Sequence, residues 1–461
     1  MPPASRSLHS RGRRVVVALV AATTGIGSLA CTTTDDDPPS ARDAPPPRRG
    51  GSVVFGVVGA PATLDPYSPI ASDLTRTLAR PLYPSLFRLR PDGSTTPDLA
   101  ASFQRTASGA RVRLRRARWS NGRPITAADV VASARRARAP SGFAAFTRVE
   151  RSGRFAVVFS GDGLAFRRAL SAMAYVLPQG RAGGTFGGPF KVARYRPGLE
   201  LVLVRNPHWR GDSAEGPEQL RPSGPLLDRV TVRFVETLRQ LVGLLEARRL
   251  HAAAPPSLVN LEAILGPRMR LERAVGWESV FLDFKGSSLD ASERASIARG
   301  IDREALVEAF VRDSGEVLDQ LPAALGGGTA RALPIGRPPT RRVQIAIPSG
   351  DELLELMQEA IFSQLDAIGV EADLVGVDQT TLYGAWKRSN PTDAALRRGT
   401  GGPSFVSDGN ERGGEMETYP LFRVASFVAT SRDVHGPVPN PTFEGPLWNV
   451  ERWWRSPPDR G

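Results

Sequence analysis

The chain has 461 residues, 41% of them apolar and 23% charged, which is the composition of a globular protein and excludes a fibrous or wholly disordered one. A formal net charge of +13 points towards nucleic acid, but the basic residues are nearly all arginine, with lysine only at 191, 285 and 387. That skew, beside abundant Ala, Gly and Pro, is what a GC-rich coding sequence produces. The densest arginine run (105–138) carries no interleaved aromatic platform and no nucleic-acid motif, so it reads as a solvated strand and helix face, and no nucleic-acid partner is expected. The other uses of such a run are an anionic ligand or anionic lipid headgroups.

In chain order, the first feature is a leader. Arg6, Arg11, Arg13 and Arg14 precede an uncharged stretch from Val15 to Ala30, and the only cysteine, Cys31, follows at once. A basic start, a short apolar core and a small residue before the break describe an export signal over 1–30. The apolar part is too short, and too diluted by Thr, Gly and Ser, to span a bilayer comfortably. Ser28-Leu29-Ala30-Cys31 resembles the lipobox of bacterial lipoproteins, with Ser28 where Leu is usual. The resemblance implies lipid on the Cys31 thiol; the alternative is an ordinary secretory signal and a secreted protein. The Arg13-Arg14 pair leaves general and twin-arginine export both open. Residues 31–50 are Thr, Asp, Pro, Ala and Arg with scarcely an apolar side chain, which predicts a disordered, Pro-stiffened tether. A diacylglycerol on the thiol and an acyl chain on the amine would together anchor stably.

About 410 residues follow, enough for two or three domains. Alternation predicts strands at 51–58, 85–90, 110–118, 155–159, on both sides of Pro197-Gly198 within 191–204, at 229–235 and at 280–284. Pro91-Asp-Gly93 and Asn121-Gly122 are turn signals. Thr126 and Asp129 form a capping-box-like start to a helix whose buried side is Val130, Val131 and Ala134. A helix is predicted over 237–249. Two longer ones are predicted at Asp290–Arg312, with Ile297, Ile301, Leu306 and Phe310, and at Asp351–Ile368, with Leu353, Leu354, Met357, Ile361, Leu365 and Ile368 on one stripe and Gly369 as its stop. Strands at 343–347 and 370–375 flank the second and make a βαβ unit, hence a right-handed parallel crossover. The class is α/β.

Catalytic machinery is missing from this pattern. His208, His251 and His435 stand far apart in no metal-ligand spacing, and no G-x-S-x-G, H-E-x-x-H or Gly-Lys pair exists. The Gly-rich stretches lack the strand-to-helix setting of a phosphate cradle. Asp351-Glu352 charges a helix N-terminus rather than performing acid–base work. No enzyme, metal or cofactor is expected.

The order of segments is nonetheless recognisable. TLDP (63–66), LYPSLFRLRPDGSTTPDLAASF (82–103), RARWSNGRPITAADVVASARRA (116–137), GGPFKVARYRPGLELVLVRNPHWR (187–210), IDREALVEAF (301–310) and the closing stretch 419–449 are collinear. Together they resemble the family 5 extracellular solute-binding proteins, the oligopeptide-, dipeptide- and nickel-binding lipoproteins of ABC importers. The resemblance implies a two-lobed periplasmic-binding-protein fold, class II-like, with an extra N-terminal subdomain. Its expected parts are lobe I with the subdomain at 51–274, lobe II at 275–419, and a return to lobe I with the tail at 420–461. It implies a monomer outside the cytoplasmic membrane that encloses a peptide or similar small polar solute between hinged lobes and hands it, unaltered, to an ABC permease with ATPase subunits. The alternative is the same fold, degenerate, acting as an envelope scaffold or sensor without a transported ligand.

One region departs from the family. Residues 387–417 are short, rich in Gly, Arg and Ser, and read as loop, where relatives carry a longer stretch of the second lobe. In peptide-binding relatives an aspartate here pairs with the ligand's α-ammonium; Asp408, in Phe405-Val-Ser-Asp408, is the position that the resemblance offers. Tyr67, Trp386 and Phe405 are the aromatic candidates for the cleft wall, with core packing as the alternative for each.

Overall fold

The computed structural model describes residues 46–68, 70–141, 148–161, 175–211, 224–256, 261–267, 269–285, 288–319, 335–378, 381–382, 386, 390–399 and 418–457. Cys31, with the leader and tether, lies outside the described residues, as do Phe405 and Asp408. Residues Pro47–Gly461 form one compact unit.

An eleven-stranded mixed sheet organises that unit. The Ser52–Val58 strand lies inside it, parallel to Arg229–Val235 on one side and to Ala252–Ala254 on the other. A strand in that position is covered on both faces, and its sequence, VVFGVV, is accordingly apolar throughout. Val53, Phe55 and Val57 enter one core while Val54 and Val58 pack against another. The expected Pro197-Gly198 hairpin extends the sheet outward: Phe190–Arg196 pairs antiparallel with Glu200–Arg205, which pairs with Arg229–Val235. Gly198 supplies the positive φ of +72° that the turn requires.

Two long strands carry the sheet onward. Met269–Phe284 and Thr418–Ser431 run antiparallel to each other, and Thr418–Ser431 also pairs with Ala252–Ala254. The expected strand at 280–284 is therefore only the end of a sixteen-residue strand. Its first part was illegible because MRLERAVGWES mixes charge and glycine where a strand buried on one face would alternate. Beyond it lie Ala394–Gly399, then the parallel pair Val343–Pro348 and Ala372–Val377, joined by helix as the βαβ reading required. The Ala394–Gly399 strand corrects the expectation of loop over 387–417. Its local composition is poor for a strand, but Ala394 and Ala395 pair with both Val343–Pro348 and Met269–Phe284 and are fully buried there.

Helices follow their caps. Asp290 and Glu293 form a capping box that starts Ala291–Gly300. The single helix expected over 290–312 is two, because Gly300 ends the first and the Asp302 carboxylate accepts from Ala305 N–H at 2.9 Å to start Arg303–Phe310. The single helix expected over 351–368 is two, Glu352–Leu356 and Gln358–Ala367, divided at Met357; the stripe is kept, with Leu353, Leu354, Met357, Ile361 and Leu365 buried, while Ile368 is exposed and Gly369 stops the chain at φ +74°.

Hydrophobic side chains collect in separate cores. One takes residues from Val53 to Ala252 and again from Val434 to Trp453. Another takes residues only from Val280 to Val424. A four-stranded antiparallel sheet (Ala100–Thr106, Gly109–Leu114, Ala156–Ser160, Arg148–Arg151) backed by the Ala127–Ser141 helix is appended to the first and is the extra subdomain. The C-terminal segment is fastened to the first core by buried ion pairs. Arg80 meets Glu444, and Arg88 meets Glu451 at 3.2 Å. Glu444 also accepts from Leu89 N–H at 3.0 Å, and Trp453 packs on Phe55.

Candidate functional site at the strand crossing

Among the described residues, Met269–Phe284 and Thr418–Ser431 run from a core that takes residues of 235–265 and 425–429 into the core of 280–424, so what happens along them decides how the halves meet. Their pairing shifts register at two places, between Val280 and Phe281 and, more widely, where Val275 faces Ala425 yet Ser279 faces Arg423. Extra residues on one strand bend it and free its side chains from the ladder. The freed segment is Gly276-Trp277-Glu278. Gly276 lies so close to Pro441 that a Cβ there would stand 2.3 Å from the proline ring. Trp277 N–H donates to Pro441 O at 3.3 Å, and the Trp277 ring covers Gly93, the turn glycine of the Pro91-Asp-Gly93 motif.

Beside this break stands a charged cluster. Arg398 Nε lies 3.2 Å from Glu278 Oε1 and 3.2 Å from Asp351 Oδ2. Asp351 is at the same time the N-cap of its helix, accepting from Leu354 N–H at 3.2 Å. The neighbouring Glu352 crosses to the other side and accepts from Leu238 N–H at 3.3 Å, at the N-terminus of the Leu238–Glu246 helix. A carboxylate at that point complements the helix dipole. Burial raises the Glu278 carboxyl, Arg398 opposes that rise, and Asp351 and Asp73 add to it. The cluster thus holds more carboxylates than guanidinium groups. Such a set favours a cation, and an ammonium group placed there would meet partly buried acceptors. Among the described residues no group of His, Cys, Asp and Glu has metal-binding geometry.

On the opposite face of the same strands, Arg397 Nη1 donates to Asp283 Oδ2 at 2.7 Å, with both side chains buried, and the Thr418 hydroxyl donates to Asp283 Oδ1 at 2.5 Å. The adjacent arginines therefore serve different faces, as strand alternation demands.

Of the sequence-derived candidates, Tyr67 and Trp386 are not part of this cluster, and Phe405 and Asp408 lie outside the described residues. Tyr67 is buried in the first core. Its hydroxyl donates to Tyr175 O at 2.7 Å, and the two rings meet edge to face. Its loop is held by Asp65, which accepts from Tyr67 N–H at 3.1 Å and pairs with Arg136. Trp386 is buried in a small separate core with Ala346, Val377, Leu382 and Ala395. Its Nε1–H donates to Thr392 Oγ1 at 2.7 Å, and Lys285 Nζ stands 5.3 Å from its ring centre. Both aromatic rings thus have packed faces and satisfied polar tips. The residues that sequence reasoning missed are Trp277, Glu278 and Arg398. Their signal was a Gly-Trp interruption in a strand-forming run and a double arginine in another, each too short to read without knowing its partner.

Comparison with known proteins fits this geometry. Residues 94–334, just over half of the chain, match the family model described as bacterial extracellular solute-binding proteins, family 5 middle. No curated protein matches the chain. Among solved structures, the protein AgaA of A. tumefaciens R10, solved with agropinic acid, is 18% identical with a TM-score of 0.73, over 88% of this chain and 99% of that one. The oligopeptide-binding protein AppA of Bacillus subtilis, solved with a nonapeptide, is 17% identical with a TM-score of 0.71, over 89% and 100%. DppA of Helicobacter pylori, solved with the peptide STSA, is 15% identical with a TM-score of 0.71, over 89% and 99%. The fold is the two-lobed periplasmic-binding-protein fold that the order of segments led us to expect. With that fold, the crossing strands and the match over its middle region, the chain belongs to the bacterial extracellular solute-binding proteins of family 5.

Proposed function

We propose that this chain is the lipid-anchored, solute-binding component of an ABC importer, and that it encloses a peptide or similar small polar solute and releases it unaltered. The halves are residues 51–274 with 420–461, and residues 275–419. They close by bending at the 275–279 and 423–425 strand crossing, where ligand contacts favour the shut form over the open one. The observation that carries this reading is that two strands run from the core of 235–265 and 425–429 into the separate core of 280–424, with their register broken between the two. The carboxylate-rich cluster of Glu278, Asp351 and Glu352 beside that break suits a ligand ammonium, and Asp408 is the proposed direct partner of a peptide's α-amino group. Phe405 lines the cleft with it. Tyr67 and Trp386 support the wall from behind, with their hydrogen bonds holding its loops. Cys31 carries the lipid. The partners are a permease with its ATPase subunits, and the binding protein works as a monomer.

The test is calorimetry and thermal unfolding of the full chain against peptides of increasing length, with native mass spectrometry of whatever co-purifies. Binding at micromolar affinity or better is expected, with about 2.7 kcal/mol of stabilisation at a hundredfold excess over Kd. An empty protein that no peptide or metal complex stabilises would refute transport and leave the scaffold reading.

A further inference from the structure

A basic crevice lies away from the strand crossing, entirely within the first half. It encloses about 280 Å³, and none of its lining residues falls between 212 and 447. Its walls come from four places that the fold brings together: the segment after the Gly109–Leu114 strand, the end of the 187–211 hairpin region, the C-terminal turn at 448–452, and the 84–99 segment. Arg115, Arg116 and Arg118 stand on the first, His208 and Arg210 on the second and Arg452 on the third, with Arg88 at the base.

Two carboxylates share the lining, and both are committed. Glu451 pairs with Arg88 at 3.2 Å. Asp98 accepts from Ser85 N–H at 2.7 Å and from its hydroxyl at 3.2 Å. Arg116, Arg118, Arg210 and Arg452 meet no carboxylate among the described residues. Arg118 donates to Gly122 O at 2.8 Å, and Arg210 donates to Pro207 O at 2.8 Å and Trp209 O at 3.2 Å. Each keeps further N–H donors, since a guanidinium has five. A concave site with this excess of fixed positive charge focuses potential on an anion, and forked guanidinium donors match the tetrahedral oxygens of phosphate.

Position adds a second argument. Gly50 N–H donates to Leu226 O at 2.8 Å, and Leu226 N–H donates to Glu451 O at 3.1 Å. The N-terminal segment therefore joins the folded body two hydrogen bonds from the crevice wall, and Arg48 and Arg49 lie in the joining stretch.

We infer that this crevice is a second ligand site, for a phosphate-bearing anion. The anion is either a phospholipid headgroup or a soluble phosphate compound, and the same donors serve both. No lining residue belongs to the strand crossing, so the site stands whether or not the solute reading does.

The test uses the full-length chain carrying Cys31→Ser, so that no acyl chain contributes to binding. It is sedimented with phosphatidylcholine vesicles, pure or containing about a quarter phosphatidylglycerol, and titrated with inorganic phosphate and glycerol phosphate. The variant is Arg116→Glu with Arg118→Glu. The control is Arg111→Glu with Arg113→Glu, an equal charge change on exposed arginines of the four-stranded sheet. A single Arg452→Gln change provides a milder test should the double variant fail to fold. Loss of roughly tenfold or more in affinity in the crevice variants, with the control retaining binding, is expected. Anionic-vesicle binding lost in this way assigns a headgroup; binding of soluble phosphate without vesicle preference assigns a soluble ligand. Absence of binding to either, or equal loss in variant and control, overturns the site. Peptide binding measured on the same variants separates this outcome from failure of the proposed transport function.

Discussion

Arg397→Met tests how the sheet is fastened where it enters the second core. The guanidinium bonds Asp283 at 2.7 Å, with the two side chains only 5% and 4% exposed, and the Asp283 carboxylate has the Thr418 hydroxyl as its other partner. Three neighbouring strands are thus tied through one carboxylate. Methionine fills much of the arginine's volume, so little of the cost is a cavity. The cost is a buried carboxylate left with one neutral donor, and breaking such a pair on one side costs about 3–5 kcal/mol. Replacing both partners, Arg397→Met with Asp283→Leu, removes the orphaned charge and should recover most of that loss, giving a coupling of about 2 kcal/mol or more. Equilibrium urea unfolding followed by circular dichroism reads this as a shift in midpoint at constant slope. A single variant costing less than about 1 kcal/mol, or two effects that simply add, would mean that the pair is screened by water and that the crossing is held by apolar packing alone.

Gly276→Val places a side chain against Pro441, whose neighbour Asn440 is fixed by bonds to Leu89 O at 3.0 Å and from Thr442 N–H at 3.0 Å. The proline cannot withdraw freely, so a loss of about 1–3 kcal/mol is expected in thermal unfolding; an unchanged melting temperature would show slack at the strand break. Acid should loosen the second half through Asp393. Burial alone would raise its carboxyl, but the Arg341 fork at 2.7 and 3.0 Å and Gln344 N–H at 2.9 Å outweigh burial and hold it below the usual carboxylate range. Because the folded value lies below the unfolded one, the stabilisation is complete above about pH 4 and is lost as pH falls through the folded value. Arg341→Met should therefore flatten the acid limb of stability measured by urea midpoints, and an unaltered limb would remove Asp393 from the account.

The parts of the fold legible in the sequence are those with local causes. VVFGVV reads as a strand, the stripe from Leu353 to Leu365 as a buried helical face, and Gly93, Gly198 and Gly369 as turns or stops; these hold, although the helix behind that face is divided at Met357. The helix over 290–312 failed at Asp302 because a capping aspartate and a helical aspartate look alike until the preceding Ile301 leaves helical geometry. The site was less legible than the fold. An aromatic near a recognisable loop is as good a core residue as a cleft residue, and Tyr67 and Trp386 are both packed with their polar tips bonded.

By itself the sequence determined the class, the family and the elements whose pattern repeats within a few residues, because alternation, capping and turn chemistry act over that range. Only the tertiary structure decided that Ala394–Gly399 is a strand, that the adjacent arginines 397 and 398 serve opposite faces, and that the long crossing breaks register at Gly276. Those features depend on partners far along the chain, 114 residues apart for Arg397 and Asp283. Register between such segments is set by what each face buries, and no short stretch of sequence carries that information.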